Sequence, residues 1–141
     1  MTATQIRELR APEPLTLQER ATAREAARLM KEYDVGSILV CDGDELVGIV
    51  TDRDLAVRTL CEAKSDPRTR CLGEICSREV ATLSPSDSTD QAVELMRKRA
   101  IRRIPVVEDG KLVGIVSLGD LALERDRHSV LGEISAALPN H

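Results

Sequence analysis

An internal repeat constrains the fold of this chain more than any other feature. Residues 46–55 read LVGIVTDRDL and residues 112–121 read LVGIVSLGDL. A shift of 66 positions aligns residues 14–56 with residues 80–122 without a gap, and 15 of these 43 aligned positions are identical. Because two copies are too few for a solenoid, the repeat predicts a pair of similar, pseudo-symmetric units.

Each copy carries the same order of secondary-structure signals. A short extended segment (15–17 or 80–83) precedes a helix that starts with a capping box, TARE at 22–25 or STDQ at 88–91. Two β-branched runs then flank a glycine-containing turn, and a second helix begins at Thr51 or Ser117. The runs are Ser37–Cys41 and Leu46–Val50 in the first copy, and Ile104–Val107 and Leu112–Val116 in the second. The pattern predicts an α/β (α+β) fold with the order β-α-β-β-α, twice.

Two segments lie outside the repeated order. Residues 63–79 are a polar linker in which CLGEIC (71–76) predicts a short turn of helix. Residues 129–138 place Val130, Leu131, Ile134 and Leu138 on one helical face, which predicts a C-terminal helix.

Composition excludes several classes of function. Of 141 residues, none is Phe or Trp and one is Tyr, so the chain has no aromatic platform on which nucleic-acid bases could stack. The net charge of −4 also argues against binding a nucleic-acid backbone. The chain has neither an apolar run of membrane-spanning length nor a secretory signal at MTATQIRELRAPEP. We therefore expect a cytoplasmic protein with no nucleic-acid or membrane partner.

Residues that could support catalysis or bind a metal are not arranged for either purpose. The two histidines, His128 and His141, follow the repeat and are not placed near a nucleophile by any visible pattern. The four cysteines, Cys41, Cys61, Cys71 and Cys76, contain no CxxC pair, so free thiols are favoured over a disulfide or a metal site. We expect no enzymatic activity, no catalytic residues and no metal.

The repeated stretch has two interpretations. Gly48 allows close approach to the backbone, the Thr51 hydroxyl at a helix start suits a phosphate, and a carboxylate at Asp54 suits the two hydroxyls of a ribose. Alternatively, Thr51 and Ser117 are helix N-caps, and Asp54 and Asp120 are ordinary first-turn acids. A capping box needs Glu or Gln, not Asp, three residues after the cap, which weakens the second interpretation.

The repeat resembles a tandem pair of cystathionine-β-synthase (CBS) domains, the Bateman module. The family motif, Gly-hydrophobic-x-Thr/Ser-x-x-Asp, is complete in both copies; its residues here are Gly48, Ile49, Thr51 and Asp54, and Gly114, Ile115, Ser117 and Asp120. The segments ATLSPSDSTDQA and IRRIPVV add to the likeness. The resemblance implies two CBS units packed as one module: a first domain at 8–62, a linker with a short helix at 63–76, a second domain at 77–126, and a helical tail at 127–141.

The resemblance also implies two composite clefts that take adenosine derivatives such as AMP, ADP, ATP or S-adenosylmethionine. The first would combine residues of both copies, namely Thr51, Asp54, Val80, Ala81, Arg102, Arg103 and Pro105. Arg53 lies beside its motif, and Arg102 and Arg103 suit a phosphate, although both could be solvated surface charges. The second would combine Ser117, Asp120, Pro14, Leu15, Val35, Gly36 and Ser37. It has Gly36 and Ser37 where the first has arginines, so we expect it to hold phosphate less well.

The sequence thus predicts a regulatory sensor that needs no cofactor, binds an adenine nucleotide or related adenosyl compound, and signals to an effector chain by a conformational shift. The resemblance implies a homodimer. The alternative is a dimeric interaction or stress-response protein with no nucleotide bound.

Overall fold

The computed structural model describes residues 4–9, 13–62 and 65–127, and they form an α+β fold. The strands are β1 (Thr16–Gln18), β2 (Ser37–Asp42), β3 (Glu45–Thr51), β4 (Arg103–Glu108) and β5 (Lys111–Ser117). The helices are α1 (Ala23–Tyr33), α2 (Asp52–Leu55), α3 (Leu72–Ile75), α4 (Thr89–Arg99) and α5 (Leu118–Arg127). None of these helices is both long and apolar enough to cross a lipid bilayer.

The chain divides into two compact units. The first contains Pro14–Val80 with Gly110–Leu112, and the second contains Ala81–Asp109 with the described residues before Pro14 and from Val113 onward. The predicted tail helix at 129–138 lies outside the described residues. The predicted domain boundaries remain a prediction.

In the first unit, β2 pairs in parallel with β1 and antiparallel with β3. The apolar face of α1 packs on these strands because Ala26 and Met30 recur at helical spacing; both are buried with Ile38, Val40 and Val50. Leu72 and Ile75 of α3 complete this core. Tyr33, which the same spacing places on the apolar face, is instead 57% exposed.

In the second unit, β4 and β5 are neighbours in the sheet. Ala92 and Met96 of α4 are buried with Ile104, Val106 and Val116, the equivalents of the first unit's core residues. The extended segment expected at 80–83 is not a strand: only Leu83 pairs, through one parallel bridge to Val106.

The predicted capping boxes of α1 and α4 are confirmed. The Glu25 backbone N–H donates to Thr22 Oγ1 (3.2 Å) while the Glu25 carboxylate accepts from the Thr22 N–H (3.1 Å). Ser88 and Gln91 repeat this exchange at 3.1 and 2.7 Å. Each cap satisfies two amides that a helix start would otherwise leave without a partner.

Candidate functional site

The first copy of the motif lies where β3 ends and α2 begins. The Thr51 N–H donates to Asp54 Oδ2 (2.9 Å), and the Asp54 N–H donates to Thr51 Oγ1 (3.1 Å). This is a complete capping box built with aspartate, so the expectation that the third position requires Glu or Gln is wrong. Thr51 has the extended backbone of an N-cap residue (φ −110°, ψ 164°).

The second copy has the same geometry at the junction of β5 and α5. The Ser117 N–H donates to Asp120 Oδ2 (2.9 Å), and the Asp120 N–H donates to Ser117 Oγ (3.1 Å). An ionised carboxylate offers about four acceptor positions, so the cap occupies only part of each side chain's capacity. Both carboxylates can therefore cap a helix and still accept hydrogen bonds from a ligand's hydroxyls.

The two motif glycines differ in their surroundings. A Cβ on Gly48 would lie 2.4 Å from the Ser77 carbonyl oxygen and 2.9 Å from Cys76 Sγ, so the chain's own backbone fills the space at this glycine. The interpretation that Gly48 admits a ligand to the backbone is therefore wrong. A Cβ on Gly114 would meet nothing within 4 Å in the described part of the chain.

In the first unit, the segment before β2 lies beside this unit's own motif. The Asp52 N–H donates to the Gly36 carbonyl (3.0 Å), and Ser37 pairs with Thr51 across β2 and β3. A Cβ on Gly36 would lie 3.4 Å from the Asp52 carboxylate. Gly36 thus has a carboxylate as its neighbour, which disfavours a phosphate at this position.

The remaining predicted site residues of the first unit lie next to its strands or at the end of its main segment. The Leu15 carbonyl accepts from the Leu39 N–H (3.2 Å), next to a half-buried Pro14. Val35 is half-buried and packs against the core. Val80, also half-buried, is the last residue of this unit's main segment.

The second unit repeats the contact between the motif and the preceding segment with different side chains. The Leu118 N–H donates to the Arg102 carbonyl (2.7 Å), the equivalent of the bond between Asp52 and Gly36. The side chains of Arg102 and Arg103 are exposed, and neither forms a hydrogen bond or ion pair with any described residue. Pro105 is buried, and its carbonyl accepts from the Leu83 N–H (2.9 Å). Ala81, two residues before Leu83, is half-buried.

Each unit therefore brings a motif together with the segment before its own β2 or β4. Arg53 is exposed at the start of α2, and its backbone N–H donates to Asp52 Oδ1 (2.8 Å). The composite clefts, which combine residues of the two copies, remain a prediction.

Sequence reasoning missed one residue next to the first motif. Arg58 Nε lies 3.9 Å from Asp54 Oδ1, and Arg58 Nη1 donates to the Ile75 carbonyl (2.7 Å). The spacing of four residues from Asp54, which favours side-chain pairing on a helix, is the signal that could have identified it. The second copy has Glu124 at the equivalent position.

Two of the cysteines have a raised pKa. Cys41 and Cys76 are buried, and loss of solvent around each thiol raises its pKa. Asp44 adds to the rise in the pKa of Cys41. Within the described ranges, no three His, Cys, Asp or Glu side chains are grouped so that they could hold a metal ion.

Comparison with known proteins identifies the repeated unit. The CBS domain family matches at residues 6–58 and 72–126. The chain is 42% identical over 110 residues to CBS domain-containing protein YhcV of Bacillus subtilis, covering 78% of this chain and 77% of that protein. It is 33% identical over 119 residues to hypoxic response protein 1 of Mycobacterium tuberculosis, covering 84% and 82%.

A solved structure gives the same result for the fold. The CBS domain pair of protein MJ0100, in complex with 5′-methylthioadenosine and S-adenosyl-L-methionine, has a TM-score of 0.71 at 26% identity and covers 91% of this chain and 100% of that chain. Such homologues are generally regulatory rather than enzymatic. Both halves of the chain match one family, and the chain therefore belongs to the CBS domain family as a tandem CBS pair.

Proposed function

We propose that this chain is a regulatory sensor that binds an adenosine-containing ligand such as AMP, ADP or ATP between its two CBS units. CBS pairs are regulatory ligand-binding modules. The observation that carries the proposal is the motif itself: a hydroxyl and a carboxylate exchange the same two hydrogen bonds in both copies. In each copy the carboxylate has acceptor capacity left for the hydroxyls of a ribose.

The charges favour one site for a nucleotide's phosphate. We assign the ribose to Asp54 and the phosphate to Arg102 and Arg103, whose guanidinium groups have no partner among the described residues. The other residue set contains Gly36, whose neighbour is the Asp52 carboxylate. A ligand there is better matched if its 5′ substituent is uncharged or cationic.

The complex of the MJ0100 CBS pair supports an adenosyl ligand for this chain, since both of its ligands carry adenosine. Signalling would follow from differential binding: a ligand that favours one arrangement of the two units shifts the population toward it, and an effector chain responds to that shift.

A thermal-shift experiment tests the proposal. A ligand that binds only the folded state raises the Tm, and at a concentration 100 times its Kd it adds about 2.7 kcal/mol to the free energy of unfolding. We expect AMP to raise the Tm of the wild type and to have little effect on Asp54→Ala. Arg97→Ala, on an exposed side chain that pairs with Glu94, is the control and should respond like the wild type. Absence of a shift with AMP, ADP, ATP and S-adenosylmethionine at millimolar concentration would contradict the proposal.

The second candidate is a dimeric interaction or stress-response protein without a bound nucleotide. The observation that favours it is that Asp54 and Asp120 already have a structural function as helix caps. Val57 and Leu60 are 51% and 74% exposed, and such side chains suit an interface between two copies. Light scattering tests this homodimer, and a monomer at high protein concentration would contradict it.

A further inference from the structure

The Arg58 side chain contacts two parts of the first unit, the Asp54 carboxylate of the motif and the backbone at the end of α3. Its Nε faces Asp54 Oδ1 at 3.9 Å, while Asp54 Oδ2 is engaged by the Thr51 N–H at 2.9 Å. Its Nη1 donates to the Ile75 carbonyl at 2.7 Å and reaches the Cys76 carbonyl at 3.5 Å. One guanidinium thus contacts the motif carboxylate and the carbonyls at the end of α3, where a cation is favoured.

The backbone that Arg58 contacts continues toward Val80, another residue of the first predicted cleft. After Cys76, Ser77 pairs with Ile49 of β3 through two backbone bonds of 2.9 and 2.8 Å. Gly48 permits this approach, because any side chain there would collide with the Ser77 carbonyl. The chain then continues to Val80, which is one of the residues of the first predicted cleft.

A local break in helix geometry accompanies Arg58. After α2, residues Ala56–Leu60 form a π-helical turn, in which the buried Thr59 hydroxyl donates to the Leu55 carbonyl. Such turns are frequent at functional sites. In the second copy, α5 runs as an α-helix from Leu118 to Arg127. The arginine and the π-helical turn therefore occur together in one copy only.

We propose that Arg58 is a positioning residue of the first ligand site: it orients the Asp54 carboxylate and fixes the backbone that leads to Val80. This inference rests on the proposed function, since it assigns both groups to one nucleotide. It implies that the first site is more preorganised than the second, where Glu124 stands in place of Arg58.

Two measurements on the full chain test the positioning role. The first is calorimetric titration of AMP into the wild type, Arg58→Ala and Arg58→Lys. We expect Arg58→Ala to weaken AMP binding about tenfold, because binding would then have to order the Asp54 carboxylate and the segment that leads to Val80. Arg58→Lys should fall in between, because lysine keeps the charge but lacks the planar fork that reaches both partners. Arg97→Ala is the matched control and should bind AMP as the wild type does.

The second measurement is amide hydrogen exchange without ligand. We expect Arg58→Ala to speed exchange at the Ser77 amide, which bonds to the Ile49 carbonyl, while Arg97→Ala leaves it unchanged. An unchanged AMP affinity in Arg58→Ala overturns the inference, and so does unchanged exchange at Ser77. If the wild type does not bind AMP, the proposed function fails for this ligand, and the exchange result alone then decides whether Arg58 fixes the segment.

Discussion

At the residue scale, the two motif glycines have the same neighbours in sequence but different neighbours in space. Gly48 lies against the Ser77 carbonyl and Cys76 Sγ, whereas a Cβ on Gly114 would meet none of the described residues within 4 Å. The identical LVGIV stretches could not predict this difference, because the filling atoms belong to residues 28 and 29 positions further along the chain. The glycine in the first copy is therefore required for packing.

Replacement of each glycine by alanine measures this difference. Gly48→Ala places a methyl group against backbone atoms, which cannot move as freely as the end of a side chain, so we expect a loss of about 2–3 kcal/mol in the free energy of unfolding. Gly114→Ala is the matched control and should change that free energy by no more than about 0.5 kcal/mol. Urea denaturation measures both. Equal effects of the two substitutions would refute the packing role of Gly48.

The buried thiols give a residue-scale dependence on pH. Burial raises the folded-state pKa of Cys41 and Cys76, so both stay protonated in the folded protein at pH values where unfolded thiols ionise, above about 8.5. Their contribution to stability is complete below that value and is lost as the pH rises through the folded-state pKa.

We therefore expect the free energy of unfolding to fall between pH 8 and pH 10 more steeply in the wild type than in the double variant Cys41→Ala, Cys76→Ala. Denaturation across that range measures the two slopes. Because Cys61 is exposed, Cys61→Ala is the control and should keep the wild-type slope. Equal slopes for the wild type and the double variant would show that the burial of these thiols does not make the free energy of unfolding depend on pH in this range.

At the scale of secondary-structure elements, local chemistry determined what could be predicted. The helix starts at Thr22 and Ser88 were predictable because a capping box is formed by residues three apart. The turns between strands were predictable for a similar reason: Gly43 and Gly110 have φ values of 63° and 80°, which glycine adopts readily. The π-helical turn at 56–60 has no comparable local signal, and its equivalent in the second copy is α-helical.

The capping box of α4 gives the prediction at this scale. Ser88→Ala removes the acceptor for the Gln91 N–H, so we expect a loss of about 1 kcal/mol in the free energy of unfolding. Thr82→Ala is the control, because Thr82 is exposed and its side chain forms no hydrogen bond with the described residues. Circular dichroism during thermal unfolding measures both variants. A stability loss for Thr82→Ala as large as that for Ser88→Ala would contradict the assignment of the cap.

At the scale of the whole molecule, the repeat predicted a pair of similar units, and in the structure the two units have equivalent core residues. Ala26 and Met30 match Ala92 and Met96, and all four are buried. The part that the repeat did not predict is the segment at Ile6, which is 3% exposed in the core of the second unit and is equivalent to Leu72 of α3. Only one position, Glu8 with Glu74, is identical between residues 6–9 and 72–75, so the alignment gave no sign of this equivalence.

The motif residues could likewise be predicted, since Thr51 and Asp54 are close in sequence, but the hydrogen bonds that Asp54 exchanges with Thr51 were not expected of an aspartate. The contact of Arg58 with the Ile75 carbonyl could not be predicted, because it joins positions 17 apart and depends on how α3 packs. A cleft that combines the motif of one copy with residues of the other copy remains a prediction, and ligand binding is its test.

Calorimetric titration of AMP into the wild type, Asp54→Ala and Asp120→Ala tests the central claim most directly. The proposed first site assigns a phosphate to Arg102 and Arg103, which have no partner among the described residues, whereas the second residue set has the Asp52 carboxylate beside Gly36. We therefore predict one AMP per chain in the wild type, loss of that binding in Asp54→Ala, and its retention in Asp120→Ala. The absence of measurable heat at millimolar AMP, or unchanged binding in Asp54→Ala, would contradict the account.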